Sequence, residues 1–277
     1  MDTATHMLRT GQRGALFQVN MALRDLRSSV ERIGLAWSLA SHDVVARYRG
    51  SILGPFWITL SMGLMVAGIG LLNAKLLNVA VPDFIPFVAL GIVFFGAISG
   101  TVTEGCDTFV GAAGILSQTS LPMFTFVWRT VLRNLINLAH NMVIIVAVLI
   151  YYGFWRKADV ASAAVGLVLL VANSAWAAML VGIFSARFRD VPQIVQSLMQ
   201  FAIFFTPVFW LPERLGSSRF VLDFNPFYHL VEAVRAPLLG KQLEPHSYLV
   251  LALMALAGWG VTFAIFTRTR RRIVHYL

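Results

Sequence analysis

The stretch "FIPFVALGIVFFGAISGTVT", residues 84–103, contains twenty consecutive residues without Asp, Glu, Lys or Arg. About 20 apolar residues in a helix cross the hydrocarbon core of a bilayer, and a charge near the centre costs roughly 2.5–3.5 kcal/mol on insertion scales. This stretch therefore predicts a membrane-spanning helix. Five more uncharged runs of similar length occur, so we expect an all-α protein with six spans, near residues 52–74, 84–103, 134–154, 160–184, 191–211 and 247–267.

The composition of the whole chain also indicates a membrane protein. Hydrophobic residues make up 58% of the 277 residues, charged residues 13%, and the mean hydropathy is +0.74. A soluble domain needs more polar surface than this. The net charge of +9 would suit a nucleic-acid partner, but the basic residues flank the apolar runs, so we expect no such partner. The single cysteine, Cys106, excludes a disulfide within the chain and a thiol metal centre.

The distribution of Lys and Arg predicts the orientation of the spans. With both termini in the cytoplasm, 15 basic residues lie on the inside and 7 on the outside. Basic loops are retained on the cytoplasmic side, so we expect both termini there. The sequence then divides into a partly disordered cytoplasmic segment (1–29), an amphipathic interfacial helix (30–50), a six-span domain (51–267) and a basic cytoplasmic tail (268–277).

The segment 30–50 has apolar residues at spacings of three and four, which is typical of an amphipathic helix. We expect it to lie in the cytoplasmic headgroup layer and to contact membrane lipids through four side chains: Trp37, Arg47, Tyr48 and Arg49. The alternative is a simple juxtamembrane anchor.

The external loop 212–246 contains a second short helix, in "NPFYHLVEAVRAPLLGK". Asn225 is a typical N-cap, Pro226 suits the first helical position, and Gly240 ends the helix. Tyr228 lies in its first turn, and Glu232 and Arg235 are three residues apart and can form an ion pair. The apolar content predicts a helix that dips into the outer leaflet against the spans. The alternative is a helix that rests on the surface.

The familiar motifs of enzymes are missing from the sequence. It has no G-x-x-x-x-G-K-[ST] phosphate loop, no H-E-x-x-H and no G-x-S-x-G, so we expect neither catalysis nor a cofactor in this chain. Glu104 and Asp107 are three residues apart at the end of a span, and we expect them to be solvent-exposed acids instead of a catalytic pair. A lone intramembrane histidine, His140, lacks an acidic partner, which argues against a proton relay.

Two sets of side chains are candidates to line a transport path. Asn137 and Asn141 follow Asn134 along one stripe of the third span, where they would either join neighbouring helices or face a hydrated path. The fifth span carries rings that suit the apolar faces of sugars: Phe201, Phe205, Phe209 and Trp210. The alternative is that these rings pack in the core of the bundle.

Five stretches, in order, resemble the membrane subunits of type-2 ABC exporters, specifically permeases that export lipid-linked polysaccharides such as O-antigen and capsule. The similarity runs over residues 30–277, in ARYRGSILGPFWITL, SQTSLPMFTFVWRTVLRN, ARFRDVPQIVQSLMQFAIFFTPVFW, NPFYHLVEAVRAPLLG and RTRRRIVHYL. The resemblance implies a homodimer in the bacterial inner (cytoplasmic) membrane, with a channel between the two copies. A separate ATP-binding cassette subunit would bind ATP and Mg, and periplasmic export components are a further partner that the family allows.

The resemblance also assigns roles to residues. The segment 104–122 and the turn with Arg187, Arg189 and Asp190 match cytoplasmic parts that dock on the ATPase, while the helix after Asn225 matches an external gate. Gln118 stands where many relatives carry a basic residue, so the coupling surface departs from the family pattern there. From the residues alone, the arginines of the turn would simply fix its orientation, and Asp190 would cap the following helix.

Three other functions stay open at the level of the sequence. One is a type-2 ABC exporter of another cargo, such as teichoic acid, a drug or a lipid. A second is an ion-coupled secondary carrier. A third is a membrane-embedded transferase that uses acidic and histidine side chains of the external loop: Asp223, His229 and Glu232.

Overall fold

The computed structural model describes residues 15–276, and these residues form helices without any strand. The α-helices in this part of the chain are α1 (Ala15–Glu31), α2 (Ile33–Arg47), α3 (Phe56–Leu76), α4 (Val81–Gly105), α5 (Ala113–Gln118), α6 (Phe124–Tyr151), α7 (Val160–Arg187), α8 (Val191–Phe205), α9 (Pro226–Leu238) and α10 (Pro245–Tyr276). Short 3-10 segments lie at Val110–Ala112, Phe154–Arg156 and Pro212–Phe224. The predicted all-α class is confirmed for the described residues.

Five helices are long and apolar enough to cross a membrane, which are Phe56–Leu76, Val81–Gly105, Phe124–Tyr151, Val160–Arg187 and Pro245–Arg270. The central one is α4, in which every residue from 84 to 95 is buried. Helices α3, α6, α7 and α9 all pack around it. A helix that is covered on all sides is apolar on all sides, which explains the unbroken apolar run from which the fold was predicted.

Small residues allow the helices to approach closely. A Cβ atom added at Gly105 of α4 would lie 2.6 Å from the Cα of Ala178 in α7. A Cβ at Gly166 of α7 would meet the carbonyl oxygen of Ala233 in α9, and one at Gly258 of α10 would run into the ring of Trp176. Membrane helices associate through such close contacts because the lipid itself is apolar and supplies little hydrophobic drive.

The fifth predicted span, 191–211, differs from the structure. Helix α8 has 15 residues and ends at Phe205, so it is about 22 Å long and shorter than a hydrocarbon core of about 30 Å. The helix stops because Pro207 follows Thr206, whose backbone is extended (ψ 133°), and a residue before proline is biased away from the helical region. The chain then folds back, and Trp210 Nε1 donates to the carbonyl oxygen of Phe204 (3.0 Å).

Both ends of the described chain lie at the same end of the bundle. The carboxylate of Asp25 in α1 accepts hydrogen bonds from the backbone N–H groups of Met123 (3.2 Å) and Phe124 (3.1 Å) at the start of α6. It also accepts from Arg270 near the end of α10 (2.9 Å). We call this end of the molecule the α1 end.

Two predicted terminal segments are helical where they are described. Residues 15–31 belong to α1, and residues up to Tyr276 continue α10 instead of forming a separate tail. Residues 1–14, which include most of the segment expected to be partly disordered, lie outside the described residues. The chain between α1 and α2 turns at Arg32, so the interfacial segment starts as a new helix at Ile33.

Candidate functional site

A groove runs between α3, α4 and α8. Its volume is about 510 Å³, and apolar side chains such as Met62, Phe95 and Met199 form much of its wall. Four polar side chains lie among them, as two pairs four residues apart: Ser99 and Thr103 on α4, and Gln196 and Gln200 on α8. We call this the α8 groove. Residues four apart share one face of a helix, so each pair forms a polar strip, and the pair of glutamines in an apolar run was a signal that sequence reasoning missed.

Phe201 and Phe205 of α8 do not line this groove. At 3.6 residues per turn, Phe201 and Phe205 lie roughly 100–180° around the helix axis from Gln196 and Gln200. The two rings stack on each other with centroids 4.3 Å apart, and their side chains are 61% and 55% exposed. The alternative that these two rings fill the core is therefore wrong for the single chain.

The other two predicted ring residues lie beyond the end of α8. Phe209 packs against the main hydrophobic core, and Trp210 makes the hydrogen bond to Phe204 described above. The four rings therefore do not lie on one helix, because α8 ends at Phe205; Phe209 instead lies beside Phe204, with ring centroids 6.5 Å apart.

Asn137 and Asn141 line a second cavity, of about 300 Å³, between the end of α2 and helices α3, α4 and α6. We call this the asparagine cavity. Asn134, at its edge, does join helices, since its Nδ2 donates to Glu104 of α4 (2.8 Å). The expectation that the stripe holds helices together is thus met by Asn134. Asn137 and Asn141 have no side-chain hydrogen bond within residues 15–276 and do not serve in this way.

A cluster of five charged side chains lies at the α1 end. Asp43 of α2 accepts hydrogen bonds from Arg129 (2.6 and 2.7 Å) and Arg133 (3.1 Å) of α6. Glu104, at the end of α4, accepts from Arg133 (2.8 Å) and from Arg47 (3.0 Å). The interpretation of Glu104 as a solvated turn acid is therefore wrong. No local pattern reveals this network, because its partners are 29 to 90 residues apart.

The network shifts the pKa of two groups on α2. Partial burial raises the pKa of Asp43, but hydrogen bonds and charges from Arg129 and Arg133 outweigh that effect, so the pKa of Asp43 lies below its usual value. The hydrogen bond to Glu104 raises the pKa of Arg47. Both shifts favour the charged forms, and α2 is therefore held to α4 and α6 by ionised groups near neutral pH.

Helix α2 rests on α6 through a face of small residues. Ala36, Ala40 and Val44 are buried there, whereas Trp37 is 52% exposed. Arg49 is exposed and Tyr48 is half-buried just after the helix ends. Contact of Trp37 with membrane lipids stays a prediction, and Arg47 and Tyr48 line the asparagine cavity.

The turn between α7 and α8 lies at the α1 end as well. Arg187 stacks over the rings of Phe188 (5.1 Å) and Tyr276 (5.7 Å), and Arg189 and Asp190 are exposed. Asp190 occupies the N-cap position of α8, but its side chain makes no capping hydrogen bond in the described part of the chain. The prediction of a side-chain cap is wrong because Asp190 already has helical backbone angles (φ −84°, ψ −17°), whereas a capping residue is typically extended.

Gln118 shares this end of the molecule with the turn. It is the last residue of α5 and is exposed. Beneath α5 and the turn lies one apolar cluster, to which α5, α7 and α10 contribute residues such as Leu116, Ile183 and Phe266. Force applied at α5 or at the turn would therefore reach α7 and α10 through packed side chains.

Helix α9 begins and ends as predicted. Asn225 Oδ1 accepts from the N–H groups of Phe227 (2.9 Å) and Tyr228 (3.3 Å), Pro226 is the first helical residue, and Gly240 (φ +70°) follows the end of the helix. The predicted pair of Glu232 and Arg235 is present, with Nε donating over 2.8 Å.

Arg235 of this pair is buried, and Glu232 is half-buried. Arg235 has no exposed surface; its Nη1 donates to the carbonyl oxygen of Pro207 (2.6 Å), and its guanidinium lies 3.9 Å from the centroid of Phe87 in α4. Buried cations need such partners. Both gate candidates contact the chain where α8 ends. Asn225 Nδ2 donates to the carbonyl oxygen of Phe205, the last residue of α8 (3.1 Å), and Arg235 bonds Pro207, two residues further on.

Residues 35–239 match the family model described as ABC-2 type transporter. The chain belongs to the ABC-2 type transporter family. The matched region of this ABC-2 transporter subunit runs from α2 to the end of α9 and so includes the charge cluster, both cavities and the α7–α8 turn. The resemblance noted from the sequence is confirmed at the level of the family.

The ABC-2 transporter subunit is also similar to curated proteins named O-antigen export system permease protein RfbA. The one from Myxococcus xanthus is 24% identical over 238 residues, which cover 85% of this chain and 91% of the relative. One from Klebsiella pneumoniae is 20% identical over 251 residues, which cover 86% and 93%. The similarity therefore extends over nearly the whole length of these relatives.

Proposed function

We propose that this chain is one half of an ATP-driven exporter that moves a lipid-linked polysaccharide of the O-antigen type across the bacterial inner membrane. The observation that carries the proposal is the similarity to O-antigen export permeases over about nine-tenths of their length. The α8 groove supports it, because amides and hydroxyls set among apolar and aromatic side chains suit a sugar chain that slides without tight binding.

The proposed topology has six crossings with both termini in the cytoplasm. Asp25 and Arg270 form an ion pair at the α1 end, which supports an even number of crossings between them. The five long helices supply five. The sixth is proposed to be α8 followed by residues 206–224, a short helix completed by irregular chain. Such backbone is tolerated at membrane depth where protein or water covers it.

In this topology α9 is a re-entrant gate helix. Its Arg235 lies beside Gly91, ten residues into α4, and Ala233 touches Gly166 of α7. Both contacts lie below the outer ends of those spans. Since Arg235 and Asn225 also bond the chain after α8, a shift of α8 would be passed directly to the gate.

A second copy of the chain is proposed to close the channel. Within α8, every residue of which is described, Val195 is the one residue that is buried. The rest of the surface of α8 carries large apolar side chains, such as Leu198 and Phe201, that are more than half exposed. Two copies related by a twofold axis would place two α8 grooves around one path.

A separate ATPase subunit is proposed to bind ATP and Mg and to dock at the α1 end. The exposed Arg187, Arg189, Asp190 and Gln118 lie there above the apolar cluster shared by α5, α7 and α10. Arginines on that surface suit acidic or carbonyl groups of a partner.

The test is transport in proteoliposomes. The full chain, captured from its host with any ATPase that accompanies it, would be reconstituted with a fluorescent polyprenyl-diphosphate oligosaccharide, and flipping would be followed with ATP, with a non-hydrolysable analogue, or with an ion gradient alone. We expect transport with ATP only. Transport by the chain alone, driven by an ion gradient, would indicate a secondary carrier. ATP-dependent transport of a different cargo would agree with the family role but refute the proposed substrate.

A further inference from the structure

The asparagine cavity is polar although it lies among membrane-spanning helices. Seven polar side chains line it, from α2 and the turn after it, α3, α4 and α6: Arg47, Tyr48, Ser61, Glu104, Asn134, Asn137 and Asn141. The volume of about 300 Å³ holds a group of at least about ten non-hydrogen atoms, taking roughly 30 Å³ for each water-sized atom. The cavity is separate from the α8 groove, with which it shares only Met62 and Gly96 among its lining residues.

Two amides in this cavity have unused hydrogen-bonding capacity. Within residues 15–276, the side chains of Asn137 and Asn141 make no hydrogen bond, and Asn141 is only 8% exposed with its Oδ1 buried and unpartnered. Buried polar groups are nearly always satisfied, so the buried Oδ1 of Asn141, which has no partner in the described part of the chain, points together with the half-buried amide of Asn137 to a ligand with hydroxyl groups. The space exists because α4 presents glycine there: a Cβ at Gly100 would lie 2.8 Å from Asn134 Oδ1.

The mouth of the cavity favours an anion. The adjoining charge cluster contains three arginines (Arg47, Arg129, Arg133) and two carboxylates (Asp43, Glu104), which leaves a net charge of +1. Arg129 binds Asp43 with two nitrogens. Arg47 uses one nitrogen for Glu104, and its side chain is 49% exposed. Its remaining N–H groups can therefore bind a phosphate, for which the guanidinium is well suited.

The wall beside the cavity is suited to a lipid tail. Helix α3, which lines the cavity through Ile58 and Ser61, exposes Trp57, Leu60 and Leu64. Large apolar side chains exposed on a candidate span face acyl chains or another apolar surface. The ligand therefore combines a charged phosphate, hydroxyl groups and a hydrocarbon tail.

We propose that the asparagine cavity is a binding site for the headgroup of a membrane lipid that carries a phosphate and free hydroxyls. The phosphate lies against Arg47, the hydroxyls bond Asn137 and Asn141, and the tail runs along α3. The site is built on the α1 side of the membrane and is separate from the α8 groove. A phosphatidylglycerol of the surrounding leaflet and a polyprenyl-diphosphate sugar share this chemistry.

Native mass spectrometry of the full chain in detergent tests the site. The probes are phosphatidylglycerol, phosphatidylethanolamine, which lacks the hydroxyls, and undecaprenyl-diphosphate N-acetylglucosamine. We expect at least fivefold more of a hydroxyl-bearing lipid to be retained than of phosphatidylethanolamine. Stronger retention of phosphatidylglycerol identifies a resident lipid, and stronger retention of the diphosphate sugar identifies an early cargo site. Equal retention of all three lipids overturns the proposal.

The variants separate the cavity from non-specific lipid binding. Asn137→Leu and Asn141→Leu keep the side-chain size and remove the amides, so retention should fall at least fivefold while the unfolding temperature stays the same or rises. Asn20→Leu, at an exposed position on α1, is the matched control and should leave retention unchanged. Arg47→Gln should reduce retention of both anionic lipids. Unchanged retention in the Asn137 and Asn141 variants would refute the site, whatever becomes of the transport proposal.

Discussion

Replacing Asp25 by alanine should destabilise the protein more than any other single change at the α1 end. The buried carboxylate of Asp25 accepts from two backbone N–H groups at the start of α6 and from Arg270 of α10. It serves as the cap of α6 although it belongs to α1. Three helices therefore depend on one side chain.

The magnitude follows from these contacts. A helix cap is worth about 0.5–2 kcal/mol, and hydrogen bonds to charged groups are worth about 1.5–3 kcal/mol. Two N–H groups lose their acceptor in Asp25→Ala, whereas Arg270, which is 26% exposed, can return to water and adds little. We therefore expect a loss of about 3 kcal/mol. At roughly 2–4 °C per kcal/mol for a chain of this size, the unfolding temperature should fall by about 6–12 °C.

The chain offers a matched control in Asp190. It is also an aspartate at the start of an apolar helix, but its side chain makes no cap bond among the described residues, so Asp190→Ala should cost less than about 0.5 kcal/mol. Thermal unfolding in detergent, followed by tryptophan fluorescence, gives the comparison. Arg270→Gln should fall between the two because it leaves the cap intact. If Asp25→Ala and Asp190→Ala unfold within about 2 °C of each other, the capping argument is wrong.

Three further predictions concern pH, coupling and the path. The folded-state pKa of Asp43 is lowered, so its contribution to stability is present above its unfolded pKa of about 3.9 and is lost as the pH falls through the folded value. The unfolding temperature of the wild type should therefore stay constant from pH 7 to pH 5 and decrease when the pH is lowered below about 4. The decrease should be smaller in Asp43→Asn. Charge reversal at both Arg187 and Arg189 should reduce export while ATP turnover and dimerisation persist, measured on the purified complex; unchanged export would contradict the docking role. Gln200→Ala should slow export more than Phe201→Ala if the α8 groove is the path, and the opposite order in a transport assay would assign the path to the ring face.

The spans could be predicted because the signal is local. A helix such as α4 must be apolar over about 20 residues to cross a bilayer, and nothing distant alters that requirement. The caps of α9 were predictable for the same reason, since Asn225, Pro226 and Gly240 act on their own neighbours. Family membership was also readable, because short stretches kept their order along the chain.

The candidate site was harder to predict because it depends on contacts between distant residues. Asp43 and Arg129 are 86 residues apart, and no spacing rule joins them. The end of α8 at Phe205 was missed because an apolar run continues to Leu211, although Pro207 within it carried the opposing signal. The direction of Phe201 could not be known without the position of α4, which determines which face of α8 turns toward the groove.

The bond between Asp25 and Arg270 also constrains how the protein is made. The two residues are 245 positions apart, so the ribosome must synthesise every residue up to Arg270 before the arginine can reach its carboxylate. Until then α1 is held to α6 by the hydrogen bonds of the Asp25 carboxylate to the N–H groups of Met123 and Phe124 and by the bond from Trp128 Nε1 to Ser29 Oγ (3.1 Å). The ion pair between Asp25 and Arg270 therefore forms late in synthesis, and a nascent chain that stalls before Arg270 cannot form it.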